Sequence, residues 1–206
     1  HLEVIPETKI DIFEQSDQIG GRIKTDKVDG FNLDHGFQVF LRNYPEARLS
    51  FDYSKLSLYP FSPGAYLNGI YNGDPIREPS LILNGIFSNI GSIKDKILLL
   101  KLRFEENNIS FSTTKTTKEF LREYGFSQKI INTFFNPFFS GVFLNNKLEN
   151  EPKFFLFLFK LFSSELAALP RGGMQELPLN IAGQLKKTNI FLNKSPEIKN
   201  ENTINI

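Results

Sequence analysis

Residues 10–40 read IDIFEQSDQIGGRIKTDKVDGFNLDHGFQVF, and the order of apolar, acidic and glycine residues in this stretch decides the fold class. Residues 9–15 alternate in apolar character and predict a short strand that ends at Glu14. A turn containing Gly20–Gly21 follows. The alternating segments around Asp29–Gly30 predict a hairpin, because this dipeptide readily adopts the positive φ values of a tight turn.

A carboxylate at the tip of a buried parallel strand can accept hydrogen bonds from both hydroxyls of an adenosine ribose, and Glu14 has that position. Gly20 and Gly21 have no β-carbon, so their backbone can approach a pyrophosphate closely, and Arg22 can offset its charge. The alternative is an acidic strand end followed by an ordinary Gly-Gly turn. These residues alone leave both interpretations open.

The composition excludes several classes of function. The chain has 206 residues, enough for one or two domains, and its 24 Lys and Arg against 23 Asp and Glu give a net charge of +1. A nucleic-acid partner is therefore not expected. With no Cys and only His1 and His35 as imidazoles, no metal site is expected either.

The middle of the chain changes from loops to helices. Residues 44–80 are rich in Pro, Gly and aromatic residues and predict short strands and loops. Three helix starts follow, at Ser92 with Asp95, at Thr116 with Glu119, and at Ser127. We expect the second helix to stop at Gly125 and the third to break at Pro137.

Residues 152–168 predict a Phe-rich helix, whose apolar run FFLFLFKLF is too short to span a membrane. A buried helix is the favoured interpretation, and an interfacial membrane helix is the alternative. Downstream, the pattern predicts a Gly-Gly turn, a helix from about Met174, and terminal strands with a turn at Asn200–Asn202. The chain begins with His1 and stops inside a strand, so we expect it to be incomplete at both ends.

Two motifs resemble one known family. Residues 10–40 resemble the second conserved stretch of the flavin-containing amine oxidase superfamily, which includes protoporphyrinogen oxidases and carotenoid desaturases. FFNPFFSGVFLNNKLE and LPRGGMQELP are similar to downstream segments of the protoporphyrinogen-oxidase-like and phytoene-desaturase-like branch. Two separate motifs in the same order as in the family are stronger evidence than either one alone.

The resemblance implies an α/β fold with FAD as the cofactor. Residues 1–43 and 172–206 would form a partial, three-layer, Rossmann-like FAD-binding domain. Residues 44–171 would form an inserted α+β, largely helical substrate domain. By position, the resemblance assigns the adenosine ribose to Glu14, the pyrophosphate to Gly20, Gly21 and Arg22, and the isoalloxazine ring to Gly36, Phe37 and Gln38.

The sequence also departs from the family. Gln18 stands where family members often carry a basic residue, so one phosphate contact is expected to be absent. No G-x-G-x-x-G motif occurs in the chain, and the family's C-terminal Gly-Asp segment is missing too. We therefore expect the sequence to carry the middle of a flavoprotein.

The resemblance implies an oxidoreductase that moves hydride from a C–N or C–C bond of a bulky apolar small molecule to flavin, with oxygen or another electron acceptor. The parent protein would be the enzyme, and this piece would be inactive by itself. The alternatives are a non-catalytic remnant or binding module, and an NAD-linked enzyme. A cytoplasmic location is expected, and membrane association is open.

Four further features carry weaker hypotheses. No catalytic side chain is assigned, because His35 beside Asp34 lacks a G-x-S-x-G motif and is more typical of a plain hairpin residue. Gln38 is as well explained by a structural role in a strand as by a hydrogen bond to flavin. Met174 is more typical of a residue that fills a core gap than of one that contacts substrate. The Phe clusters at 134–143 and 154–162 favour core packing over a substrate pocket.

Overall fold

The computed structural model of the protein describes residues 5–67, 70–74, 77–81, 90–105, 115–200 and 203–205. The chain forms two compact units, one from residues 1–61 and 167–206 and the other from residues 62–166. Residues 44–61 and 167–171, predicted in the substrate domain, belong to the first of these units. The binding roles assigned to the two parts of the chain stay predictions.

The strands, in chain order, are β1 (Ile10–Phe13), β2 (Thr25–Val28), β3 (Phe31–Asp34), β4 (Phe40–Leu41), β5 (Leu58–Pro60), β6 (Gly64–Leu67), β7 (Ile70–Gly73), β8 (Ala167–Pro170), β9 (Thr188–Phe191), β10 (Glu197–Asn200) and β11 (Thr203–Asn205). The α-helices are α1 (Pro45–Ser50), α2 (Ile93–Glu105), α3 (Thr117–Tyr124), α4 (Gln128–Ile130), α5 (Asn136–Phe143), α6 (Pro152–Ser164) and α7 (Glu176–Ala182). Short 3₁₀ turns lie at Tyr53–Lys55 and Pro79–Leu81, and a π-helical segment at Ile131–Phe135.

The first unit is built from small sheets. β1 pairs in parallel with β9, and the rings of Phe13 and Phe191 stack with centroids 5.2 Å apart where both strands end. β2 and β3 form the predicted hairpin, in which Asp29 and Gly30 have φ of 51° and 84°. The β4–β8–β5 sheet is antiparallel. The predictions of a strand before Glu14 and of a hairpin at Asp29–Gly30 are confirmed.

The core of the first unit brings distant segments together. Its buried residues are Phe40, Ala47, Met174 and Leu177, with Phe51 packed edge to face on Phe40 at 5.3 Å. Met174 and Leu177 lie within the motif LPRGGMQELP, and Phe40 is the last residue of the first motif. Burial of apolar surface therefore joins the two motifs in one core.

The prediction of strands and loops over 44–80 is wrong at α1. Pro45 occupies the start of this helix, where its missing N–H costs nothing and its fixed φ favours the helix. Ala47, on one side of α1, is buried in the core. Strands β5, β6 and β7 in the same range agree with the prediction.

The predicted helix starts in the second unit are confirmed. Thr116 and Glu119 form a capping box at α3, and Gly125, with φ of 106°, ends that helix. Ser127 caps α4 by accepting a hydrogen bond from the Ile130 N–H. Local side chain–backbone bonding thus sets where these helices begin and end.

Asp95 joins the starts of α2 and α4. Its carboxylate is almost completely buried and accepts four hydrogen bonds, from the backbone N–H and hydroxyl of both Ser92 and Ser127, at 2.7–2.8 Å. Burial raises the pKa of Asp95, but the bonds from Ser127 and Ser92 outweigh it and lower the pKa to about 2. Asp95 is therefore charged at neutral pH, with both oxygens bonded.

The predicted break at Pro137 is wrong, because the helical chain continues through it as α5. The π segment lies directly before Pro137, and the Asn136 N–H bonds the Ile131 carbonyl, five residues back. This wider turn accommodates the proline ring, which in a regular α-helix would clash with the carbonyl group four residues earlier.

Aromatic rings fill the core of the second unit. Phe155 is fully buried, with Phe139, Phe135 and Phe120 at centroid distances of 4.8, 5.7 and 6.3 Å. Its helix α6 ends at Ser164 rather than at the predicted residue 168, since Ala167–Pro170 pair as β8 with two other strands. None of the helices described here has the length and apolar character needed to cross a bilayer.

The last predicted elements agree with the structure. α7 begins at Glu176, two residues after the expected start at Met174. The tail forms β9, β10 and β11, and the last two are antiparallel. The turn predicted at Asn200–Asn202 extends outside the described residues.

Candidate functional site

Glu14 lies directly after β1, and its backbone is fixed by the parallel partner. Its N–H donates to the Phe191 carbonyl at 2.9 Å, and its own carbonyl accepts from the Lys194 N–H at 3.0 Å. One side-chain oxygen, Oε1, accepts from the backbone N–H and hydroxyl of Ser16, both at 2.8 Å. These bonds lower the pKa of Glu14, so it is charged at neutral pH, and Oε2 has no hydrogen bond to any described residue.

The Gly20–Gly21 turn needs glycine for two different reasons. Gly20 has φ of 118°, and a β-carbon there would lie 2.5 Å from the Ile23 carbonyl and 2.8 Å from Pro178. Gly21 has φ of 56°, yet a β-carbon would meet no atom within 4 Å. Gly20 is therefore packed against the protein, whereas the backbone of Gly21 faces open space.

The end of the hairpin approaches this turn. A small depression is lined by Arg22, Ile23, Lys24, Gly36, Phe37 and Met174. Phe37 is 68% exposed, and a β-carbon on Gly36 would have only the Arg22 carbonyl nearby, at 3.8 Å. The structure thus brings Arg22, Gly36 and Phe37 together, while Gln38 is exposed and lies outside a strand.

His35 lies beside this depression, but its hydrogen bonds are made to residues of its own hairpin segment. Its Nε2 lies 2.6 Å from Asp26 Oδ2, and this hydrogen bond lowers the pKa of Asp26. The His35 N–H donates to the Lys24 carbonyl at 2.9 Å. The imidazole therefore holds the two hairpin strands together at an exposed position.

Asp34 connects the hairpin to the second motif. Its Oδ1 accepts from the Met174 N–H at 2.8 Å and from the Thr25 hydroxyl. Gly173 has φ of 94°, and a β-carbon there would lie 2.4 Å from Thr25 Cγ2. The close approach of the two segments therefore requires glycine at 173.

Met174 has a buried side chain, 3% exposed, in the core of the first unit. It also borders the depression beside Gly36 and Phe37. Contact of Met174 with substrate stays a prediction, since packing already accounts for most of its surface.

Gln175 is a residue that sequence reasoning missed. It is 8% exposed and its backbone N–H donates to the Thr25 hydroxyl at 3.1 Å. Its side chain accepts from the Thr25 N–H at 3.1 Å and donates to Gln18 Oε1 at 2.6 Å. The only signal in the sequence is a polar residue inside an apolar helix start, which is too common to single it out.

An open cleft of about 680 Å³ lies beside this hydrogen-bond network. Its lining combines polar and apolar side chains, from Asp17, Gln18, Ile19, Thr25, Asp26, Lys27, Gln175, Leu179, Ile190 and Leu192. The cleft therefore runs from the Gly-Gly turn to β9. Among the described residues, no group of three or more His, Asp or Glu side chains is placed to hold a metal ion.

The family model for flavin-containing amine oxidoreductases matches residues 7–198. The chain belongs to this family, and the predicted resemblance and the FAD cofactor of the family are confirmed. No curated protein sequence matches the chain.

Solved structures agree on the fold. A putrescine oxidase variant with redesigned cofactor binding has a TM-score of 0.57 and 16% identity, over 89% of this chain and 45% of that one. Wild-type putrescine oxidase bound to putrescine gives 0.53 and 18%, over 88% and 44%. A protoporphyrinogen oxidase-like protein from Exiguobacterium sp. 255-15 gives 0.53 and 13%, over 98% and 51%.

At these identities the likeness establishes the fold, and the predicted α/β class with a partial FAD-binding domain is confirmed. The chain spans about half the length of these relatives. The activity of the whole protein is therefore a separate question.

The residues present fit a flavin dinucleotide. Gly21 leaves its backbone open to a close ligand group, and Glu14 keeps one oxygen free for hydroxyl donors. Gly36 is similarly open beside the exposed Phe37 ring. None of the seven predicted cofactor residues is buried, so each has surface left for a ligand.

Proposed function

We propose that this chain is part of an FAD-dependent oxidoreductase and that the residues around Glu14, Gly20–Gly21 and the hairpin bind the cofactor. One observation carries the proposal. The two motifs that resemble the family, about 140 residues apart, are joined by the Met174 N–H bond to Asp34. A plain strand end with an unrelated glycine turn gives no reason for this connection.

Each residue has a role in the proposed complex. Glu14 accepts hydrogen bonds from the adenosine ribose hydroxyls. The Gly20–Gly21 backbone lies against the pyrophosphate, and Arg22 offsets its charge. Gly36, Phe37 and Gln38 lie beside the isoalloxazine ring.

When bound, the flavin would accept a hydride from a C–N or C–C bond of the substrate, and oxygen or another acceptor would then oxidise it again. The chain's own residues orient the reacting molecules and exclude water. A bulky apolar small molecule as substrate is proposed on the family resemblance alone, because the phenylalanine rings of the second unit pack on one another. A cytoplasmic location stays a prediction.

The test is to express the chain within its complete reading frame and record the visible spectrum of the purified protein. We expect a yellow protein with bound flavin. A folded, colourless protein that takes up no added FAD would contradict the proposal.

The second candidate function is a binding module without catalysis, and the absence of a G-x-G-x-x-G motif in the sequence favours it. Phosphate affinity in related sites depends on amides at a helix N-terminus that this motif supplies. We expect the 206-residue chain alone to bind FAD poorly. Tight stoichiometric binding in a flavin titration would refute that expectation.

A further inference from the structure

One face of helix α2 carries a line of exposed apolar side chains, which we call the α2 stripe. Its members are Ile93, Ile97, Leu100 and Phe104, at intervals of four and three residues, so they follow one another along the helix. They are between 44% and 73% exposed. Leu102, on the opposite face, is fully buried. The helix is therefore packed on one side and presents apolar surface on the other.

Positive charge borders the α2 stripe on both sides. At 100° per residue, Lys94 and Lys101 lie on one flank and Lys96 lies on the other. The exposed acid of this helix, Glu105, is paired with Lys101 at 3.7 Å. The remaining acid, Asp95, is almost completely buried. The solvent-facing side of α2 therefore carries an excess of positive charge.

Lys129 of α4 adds to this charge. It lies close enough to Lys96 for their repulsion, together with burial, to lower the pKa of Lys96. Two elements of the second unit thus place lysines beside the same flank of the α2 stripe. An anionic partner would relieve this repulsion.

The most apolar helix of the chain does not offer such a surface. α6 contains the run FFLFLFKLF, but it buries Phe155, Leu158 and Phe159 within the second unit. α2 is less apolar overall, yet it exposes its stripe. Contact with a membrane depends on exposed apolar surface, so α2 is better suited to it than α6.

We propose that α2 lies flat on a membrane surface containing anionic lipids, with the α2 stripe inserted between the headgroups and the lysines beside the lipid phosphates. Interfacial helices combine an apolar face with lysines along its borders in this way. The 13 residues of α2 extend for about 20 Å along such a surface. A helix in this position does not need the length required to cross the bilayer.

A second copy of the chain fits the α2 stripe less well. Stable protein interfaces bury about 800 Å² on each partner, and one line of four side chains on a convex helix covers less. Self-pairing of α2 would also bring the positive flanks of the two copies together, whereas anionic headgroups neutralise them.

Vesicle binding of the complete protein tests the proposal by cosedimentation. We expect binding to vesicles of phosphatidylcholine mixed with phosphatidylglycerol, and weaker binding to phosphatidylcholine alone. Added salt should reduce the difference between the two, because it screens the lysines. Failure to bind the mixed vesicles, or equal binding to both kinds at low salt, would overturn the proposal.

Two substitutions separate the apolar and charged contributions. Phe104→Ser should lower the partition coefficient on mixed vesicles by about 10-fold or more. Lys94→Gln should lower it by about 5-fold. The controls lie in the first unit: Leu49→Ser, at a side chain about as exposed as Phe104, and Lys55→Gln should each change it by less than about 2-fold. Losses as large in the controls as in the α2 variants would contradict the proposal.

Fluorescence reports insertion directly. Phe104→Trp should bind mixed vesicles like the unsubstituted protein, and lipids brominated on their acyl chains should quench its added fluorescence. Leu49→Trp should show no such quenching. Binding without quenching at position 104 would mean that α2 does not enter the membrane.

The remaining outcomes are also decisive. If Phe104→Ser does not fold, Ile97→Ser replaces it. If the complete protein self-associates without vesicles and Phe104→Ser abolishes this association, the α2 stripe binds a second copy and the proposal is wrong. None of these measurements involves flavin, so the proposed function can fail without affecting this inference.

Discussion

The two units of the chain are held by different kinds of interaction. In the first, Thr25, Asp34 and Gln175 join segments far apart in sequence through hydrogen bonds, and glycines with positive φ allow the approach. In the second, phenylalanine rings pack around Phe155 and local caps set the helix ends. Polar joining leaves open backbone at Gly21 for a ligand, whereas aromatic packing fills the space it encloses.

The largest effect is expected from Phe155→Ala, because the ring is fully buried among other rings. The cavity it leaves should lower the free energy of unfolding by about 3–5 kcal/mol. Urea unfolding measures this change. Phe154→Ala, at a neighbour that is 47% exposed, is the matched control and should cost about 1 kcal/mol. Similar losses of unfolding free energy in both variants would show that ring packing does not dominate the stability of the second unit.

Asp95→Asn should be the next most destabilising, at about 2–4 kcal/mol, since the new NH₂ group faces donors that need an acceptor. The pKa of Asp95 is lowered to about 2 in the folded protein, so its contribution is present above pH 4. It should be lost as the pH falls from about 4 toward 2. The free energies of unfolding of the unsubstituted chain and of Asp95→Asn should therefore converge as the pH falls over this range. Asp17→Asn, at an exposed carboxylate, should show the same dependence of stability on pH as the unsubstituted chain.

Gly173→Ala tests the polar joining of the first unit. The new methyl group would meet Thr25 and require φ of 94°, so we expect a loss of about 2–3 kcal/mol. Gly141→Ala is the control in a helix with nothing within 4 Å, and it should stabilise by about 0.5–1 kcal/mol. Thermal unfolding of both variants gives the comparison. An unchanged melting temperature in Gly173→Ala would mean that the two motifs separate without cost.

Glu14→Gln should have the smallest effect on folding and a selective effect on binding. The side chain is only partly buried, so the melting temperature should stay within a few degrees. FAD affinity in the complete protein should fall by about 10-fold, because a charged acceptor for ribose hydroxyls is lost. Riboflavin affinity should not change, and Glu46→Gln should affect neither ligand. An equal loss of affinity for FAD and riboflavin would show that Glu14 does not bind the ribose.

Local signals account for what the sequence predicts well. The hairpin at Asp29–Gly30, the capping box at Thr116 and the stop at Gly125 each depend on residues within one turn of chain. The π segment before Pro137 was missed because a proline normally ends a helix, and the strand Ala167–Pro170 was missed because its partner strands are distant in sequence. Gln175 was missed for the same reason, since its partners at Thr25 and Gln18 are about 150 residues away.

The π segment Ile131–Phe135 constrains the number of residues in this helical region as well as their identity. A π turn contains one residue more than the α-helical turn it replaces. Deleting one residue there would rotate everything downstream by about 100°. Phe139 would then turn away from Phe155, and Pro137 would enter a regular helix. Insertions and deletions that a surface loop tolerates should therefore be rejected in this segment.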